Sequence, residues 1–426
     1  MADREKNVSR RDFMKKTAGA VGAGLAMMRN RPAYGQAKPV FKVALIGCGG
    51  RGGGAIRDSM NACKELGLEG KVVALADSCQ DRLDRTYEGL KKEGHEIPKE
   101  RCFIGYDAYK KVMETDANLV CLTTPPNFRP GHFAAAVDAG KHVFFEKPVG
   151  VDAVGCRKII ESGETAKKKG LGVVAGTIWR HHGPYISTQK AVAEGAIGKI
   201  VAGRIYYCTG RLWFKERQAQ WDDAEYMVRN WVSFCEMSGD HIVEQHVHTI
   251  DIANWFMGGP PVSAMAMGGR ARRKTGNQFD FFSVDFEYAN GIHVQSMSRQ
   301  IDGCVNRGGQ TFIGEKGETN GCGQAKTWAG EKIELPKVET HKSPFIQEHM
   351  DLLQGIVKGE PLNEARQIAE SSLTAIMGRN SAYTGQLVKW DEMMKSDLAL
   401  SPTAEDFEKG TVKVPQEEVA PLPGKA

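Results

Sequence analysis

A chain of 426 residues is too long for one hydrophobic core, so two folded domains with appendages are expected. Hydrophobic residues make up 41% and charged residues 26%, an ordinary globular composition. The net charge of +5 sits entirely in residues 1–37, where eight Lys/Arg face three Asp/Glu. The neutral remainder leaves nothing basic to suggest nucleic acid or an anionic membrane as partner.

The N-terminus carries Arg10-Arg11 ahead of Phe13, followed by a Gly/Ala-rich apolar run over residues 17–28 that is too short to span a bilayer. Small residues follow at Ala33, Gly35 and Ala37. This resembles a twin-arginine export signal, which predicts a periplasmic protein cleaved near residues 35–37. The competing reading is a basic arm beside a buried helix. No other stretch is long and apolar enough to cross a membrane. Ten cysteines are scattered singly without a C-x-x-C pair, and no obligatory disulfide is expected.

From residue 41 to about 175, apolar strands alternate with helical segments, the pattern of a parallel sheet. The first strand, residues 43–46, runs into Gly47-Cys48-Gly49-Gly50-Arg51-Gly52, which fits G-x-G-x-x-G. Gly47 permits the strand-to-helix turn, Gly49 lets backbone approach a pyrophosphate, and Gly52 allows close helix packing. The second strand, 71–76, closes on Asp77, placed to accept hydrogen bonds from a ribose and to repel a 2′-phosphate. These features predict bound NAD. The alternative is a glycine turn without a cofactor. Further strands at 118–123, 141–146 and 172–175 bring Thr124, Pro125, Asn127, Glu146 and Lys147 to strand carboxyl ends, where ligands of such sheets bind.

After Gly176, longer strands with fewer helices (200–208, 261–267, 279–288, 292–298, 310–314) indicate an α+β domain with a largely antiparallel open sheet. Asn290-Gly291 marks a hairpin tip. Residues 343–385 return to helix, and the polar tail from Asp391 reads as a surface arm. The expected organisation is therefore a signal (1–37), an NAD-binding domain (38–176), an α+β substrate and oligomerisation domain (177–390) and an arm (391–426).

Between the second-domain strands lies a segment holding His241, Glu244, His246 and His248. On a continuous helix Glu244 and His248 share a face, with His241 one turn further back. A carboxylate so placed can orient an imidazole that removes a hydroxyl proton. A metal site is the rival reading, and structural helix-capping histidines are another. The apolar spacing favours helix over the strand on which His246 and His248 would share a face.

The chain resembles the glucose–fructose oxidoreductase/inositol dehydrogenase (Gfo/Idh/MocA) family. The likeness runs over most of residues 40–390. It includes the glycine loop, Thr124-Pro125-Pro126-Asn127, Gly140-Lys141-His142-Val143, Glu146-Lys147-Pro148, Glu194-Gly195-Ala196-Ile197-Gly198 and His248-x-x-Asp251. The resemblance implies a Rossmann domain joined to an open-sheet domain, with Lys147 and His248 at the nicotinamide. No metal is expected at the site. Glu244 stands where the family has Asp, and His246 where it has Gly. A homo-oligomer, dimer or tetramer, is also implied.

The expected chemistry is removal of a sugar hydroxyl proton by His248, oriented by Glu244, with Lys147 stabilising the alkoxide and hydride passing to the nicotinamide. Arg180, His181, Trp213, Arg229, Trp231 and His246 are candidates for binding the carbohydrate, with packing as the alternative role for the Trp/Arg groups. The leading reading is an exported oxidoreductase that retains NAD and acts on a sugar, polyol or glycoside. Redox-neutral glycoside cleavage through transient oxidation at C3 is the alternative. A sugar- or partner-binding protein that keeps NAD structurally is a third.

Overall fold

The computed structural model describes residues 39–416 and 420–424. The twin-arginine segment lies outside the described residues. The first sheet holds six parallel strands: β1 (Val40–Ile46), β2 (Glu69–Asp77), β3 (Cys102–Ile104), β4 (Leu119–Leu122), β5 (His142–Phe145) and β6 (Val173–Ala175), in the order β3-β2-β1-β4-β5-β6. Between them run α1 (Gly50–Glu65), α2 (Gln80–Lys92), α3 (Ala108–Met113), α4 (Arg129–Asp138) and α5 (Ala153–Lys168). This is the strand order of a dinucleotide-binding doubly wound sheet. Helices on both faces explain why all four residues of β4 are apolar and buried. Strand β3 has three residues, none fully buried, and gave no periodic signal.

α6 (Gly183–Ala193) and β7 (Ile200–Thr209) open the second part. There follow α7 (Asp223–Arg229), α8 (Cys235–Ser238), α9 (His241–Glu244) and α10 (Val247–Met257), then β8 (Ser263–Gly269), β9 (Phe281–Tyr288), β10 (Ile292–Gln300) and β11 (Arg307–Gly314). With the short β12 (Gly317–Thr319), β13 (Ala325–Thr327) and β14 (Val388–Lys389), the strands form an eight-stranded sheet ordered β13-β12-β11-β7-β10-β9-β8-β14. Only the β7/β10 pair is parallel. Buried residues alternate with less buried ones along β9, as expected of a sheet covered on one face. The open face leaves Met265 and Met267 58% and 70% exposed. The β9–β10 connection is a 3₁₀ turn of three residues, Ala289–Gly291, longer than a two-residue Asn-Gly tip.

The helices that close the chain serve both sheets. α11 (Pro344–Lys358) puts Leu352 and Leu353 into the core with Ala55 and Ile56 of α1. α12 (Ala365–Thr384) buries Ala365, Ile368 and Ala369 under the first sheet, and Leu373, Ile376 and Met377 under the second. The tail continues as α13 (Trp390–Lys395) and α14 (Ala404–Lys409), where Phe407 is buried against Tyr106 and Phe128. All ten cysteines are free thiols.

Candidate functional site

The loop between β1 and α1 is built for close backbone approach. Gly47 has φ +99°, and a Cβ there would meet the Thr124 nitrogen at 2.7 Å. A Cβ on Gly52 would lie 1.8 Å from the Gly47 carbonyl oxygen. Neither position admits a side chain. α1 follows Gly49 at its N-cap, with no side-chain cap and no acid in its first turn, so its N–H groups can meet an anion.

Asp77, at the end of β2, accepts the Cys48 N–H at 2.6 Å and the Cys79 N–H at 2.8 Å. Each oxygen keeps a lone pair for a ribose hydroxyl. A cavity of about 530 Å³ opens over the loop, lined by Gly47, Gly49, Gly50, Arg51, Gly52, Asp77, Thr124 and Pro125. Arg82, Arg85 and Lys215 also line it and form no ion pair among the described residues. Unneutralised cations, a helix N-terminus and an acid at the β2 end together fit a dinucleotide and its pyrophosphate.

Three expected cofactor ligands, Asn127, Glu146 and Lys147, do not line this cavity. The Asn127 amide donates to the carbonyls of Glu236 (2.7 Å) and Pro402 (2.9 Å). Glu146 is buried and ion-paired with Arg51, which also reaches Asp58 at 3.1 Å. Glu146 thus holds Arg51 rather than lining the cavity.

Beyond the end of β5, Lys147 Nζ donates to the Glu244 carbonyl oxygen at 2.6 Å and to its carboxylate at 2.9 Å. In a continuous helix the Glu244 carbonyl would receive the His248 N–H. With Lys147 on that oxygen, the His248 N–H turns to the Gln245 carbonyl at 3.4 Å, and the helix divides into α9 and α10. The expected unbroken helix is therefore corrected: Glu244 is the partner of Lys147 and makes no hydrogen bond to His248.

The His248 ring packs against Trp179 (5.2 Å between centroids) and Tyr207 (6.4 Å). Neither ring nitrogen is hydrogen-bonded among the described residues. Burial, and then the Lys147 charge, hold its pKa well below the ordinary imidazole value. The outcome is a neutral, unengaged imidazole beside a pinned ammonium, able to accept a hydroxyl proton while the cation stabilises the alkoxide. Tyr207, which sequence reasoning passed over, also borders a hollow of about 230 Å³ with Thr209, Asn306 and Arg307. Its only local signal was an aromatic position in β7.

Four of the candidates for carbohydrate binding are engaged by neighbouring side chains. Arg180 grips Asp251 through two bonds (2.8 and 3.0 Å) and lies over Trp255. His181 is buried between Asp351 (2.7 Å) and Glu364 (3.4 Å); burial opposes its charge, but these carboxylates push its pKa up to about 10. His246 is bonded to Ser296 (2.6 Å) and Thr249 (2.7 Å), and burial pushes its pKa down to about 3. Arg229 pairs with Asp81 and Glu225. Trp213 and Trp231 line the dinucleotide cavity. His241, one of the possible metal ligands, bonds Asp240 (3.0 Å) and Ser298 (3.2 Å).

Residues 41–177 match the profile of an oxidoreductase family with an NAD-binding Rossmann fold, and residues 185–319 match the GFO/IDH/MocA C-terminal domain. The chain belongs to the Gfo/Idh/MocA oxidoreductase family. Its first domain is accordingly an NAD-binding Rossmann domain. Among family relatives, inositol 2-dehydrogenase/D-chiro-inositol 3-dehydrogenase of Halalkalibacterium halodurans is 31% identical over 162 residues, 37% of this chain and 42% of that protein. Alpha-N-acetylgalactosaminidase of Shewanella oneidensis is 26% identical over 227 residues, 49% of this chain and 47% of that one. The matched region thus spans less than half the length of these curated relatives. The crystal structure of aldose-aldose oxidoreductase from Caulobacter crescentus complexed with glycerol shares the fold, with TM-score 0.64, 19% identity, and coverage of 82% of this chain and 100% of that one.

Proposed function

We propose that this protein is an exported oxidoreductase that keeps NAD tightly bound and interconverts a hydroxyl and a keto group on a sugar, polyol or glycoside. The observation that carries this reading is the pairing of an unengaged, neutral His248 with a Lys147 cation pinned by Glu244. His248 takes the hydroxyl proton on a ring nitrogen, and Lys147 compensates the charge left on oxygen. Bound NAD supplies the hydride acceptor. The rings of Trp179 and Tyr207 pack against the imidazole and hold it in place. Similarity to an inositol dehydrogenase supports a polyhydroxylated substrate.

A second reading is redox-neutral glycoside cleavage by transient oxidation and elimination, supported by the Shewanella oneidensis glycosidase relative. His246 lends it no support, since both its ring nitrogens are taken.

Export with retained cofactor has a direct test. Protein recovered from the periplasm and denatured is expected to release NAD at close to one per chain, with none added during purification. Replacing Arg10 and Arg11 by Lys is expected to leave the protein in the cytoplasm. Nucleotide-free exported protein would refute retention, and undiminished export of the Lys variant would refute the twin-arginine route.

A further inference from the structure

The dinucleotide cavity has a wall that the first domain does not supply. Trp213, Lys215, Val228 and Trp231 line it together with Asp77 and Arg82, although they belong to the segment joining β7 to α8. Trp213 is 47% exposed, with its ring edge-on to Trp231 at 6.2 Å. A half-exposed indole facing a cavity offers a flat apolar surface on which a purine can stack.

The two stretches of this strap are locked together. Lys215 N–H donates to Asn230 Oδ1 at 2.7 Å, and the buried Asn230 amide donates back to the Lys215 carbonyl at 3.0 Å. Next to Asn230, Arg229 reaches across to the first turn of α2 and bonds both oxygens of Asp81, at 2.8 and 3.3 Å. Glu225 holds the same guanidinium at 2.7 Å. Asp81 stands four residues beyond Asp77, so the latch closes at the ribose end of the cavity. Lys147 and His248 do not line this cavity.

We infer that Trp213 and Trp231 form an adenosine subsite, and that the Arg229–Asp81 pair latches it shut against the first domain. The inference rests on the dinucleotide reading of the cavity and is independent of the substrate. The strap lies across the adenosine end, so the cofactor leaves only when the latch opens. Retention through export and many turnovers then has a structural basis, and affinity is set chiefly by release.

The test is the rate at which NADH leaves the full-length protein. NADH is loaded, chased with excess NAD, and followed by the loss of bound-NADH fluorescence. Arg229→Ala, Asp81→Asn and Trp213→Ala should each speed release by roughly ten-fold or more, with Arg229→Lys and Trp213→Phe closer to the parent. Added salt should speed release from the parent more than from Asp81→Asn, in which only the cavity's cations facing the pyrophosphate remain to be screened, a difference that a purely structural strap would not give. Asp81 is half-exposed, so its Asn variant is expected to fold, which thermal melting checks. Release within about two-fold of the parent in folded variants would overturn the latch. Failure of the parent to bind NADH would overturn the dinucleotide reading and this inference with it.

Discussion

Lys147→Ala is expected to lower kcat by ~10²–10³, the usual effect of removing one preorganised donor from a developing oxyanion. Bound NAD should remain, because Lys147 lies outside the cavity at the glycine loop. The substitution has two further consequences. It strips Glu244 of its counter-ion at a site where both side chains are only 12–13% exposed, so melting temperature should fall; Lys147→Ala/Glu244→Gln should recover part of that loss. It also removes one of the two influences that depress the His248 pKa, leaving burial alone. The acid limb of the residual kcat/KM profile should therefore move to higher pH. Unchanged turnover would remove Lys147 from the chemistry, and a stationary limb would separate it from His248.

His248→Ala should cost about 10²–10⁴ in rate, the contribution of a positioned general base. NADH affinity should stay at the parent level. The parent's pH profile carries the same signature. A base must be neutral to act, and His248 is held below the ordinary imidazole value of about 6.5. Activity should thus persist as pH falls through that value and decline only further into acid. An acid limb at or above the ordinary value would contradict His248 as the base.

Much of the first domain was legible because its signals are local. Gly47 and Gly52 are fixed by contacts within one turn and the adjoining strands, and Asp77 simply ends an apolar run. The pairing of Glu244 was not legible. Its distance from His248 in sequence suggested an orienting carboxylate, yet Lys147, 97 residues earlier in the chain, captures both its carbonyl and its carboxylate. That tertiary bond breaks the helix and frees the imidazole. His246 and His181 are engaged within the fold for a related reason, since only the folded chain reveals that Ser296 and Thr249 bond the first, and that Asp351 bonds and Glu364 ion-pairs with the second. Trp213 and Trp231 stood out in the sequence as candidates for binding a carbohydrate, and in the fold they line the cavity at the glycine loop. Their place beside Asp77 depends on Arg229 reaching Asp81 across 148 residues of chain.

The most direct test of the account is an absorbance trace in the reduced-nicotinamide band. It is taken on protein purified after export, with no cofactor added, as free sugars, polyols and glycosides are mixed in. One substrate class is expected to raise the band, and Lys147→Ala and His248→Ala to abolish the rise while still carrying NAD. Protein that carries NAD but shows neither a change in the band nor release of an aglycone from any glycoside would contradict it.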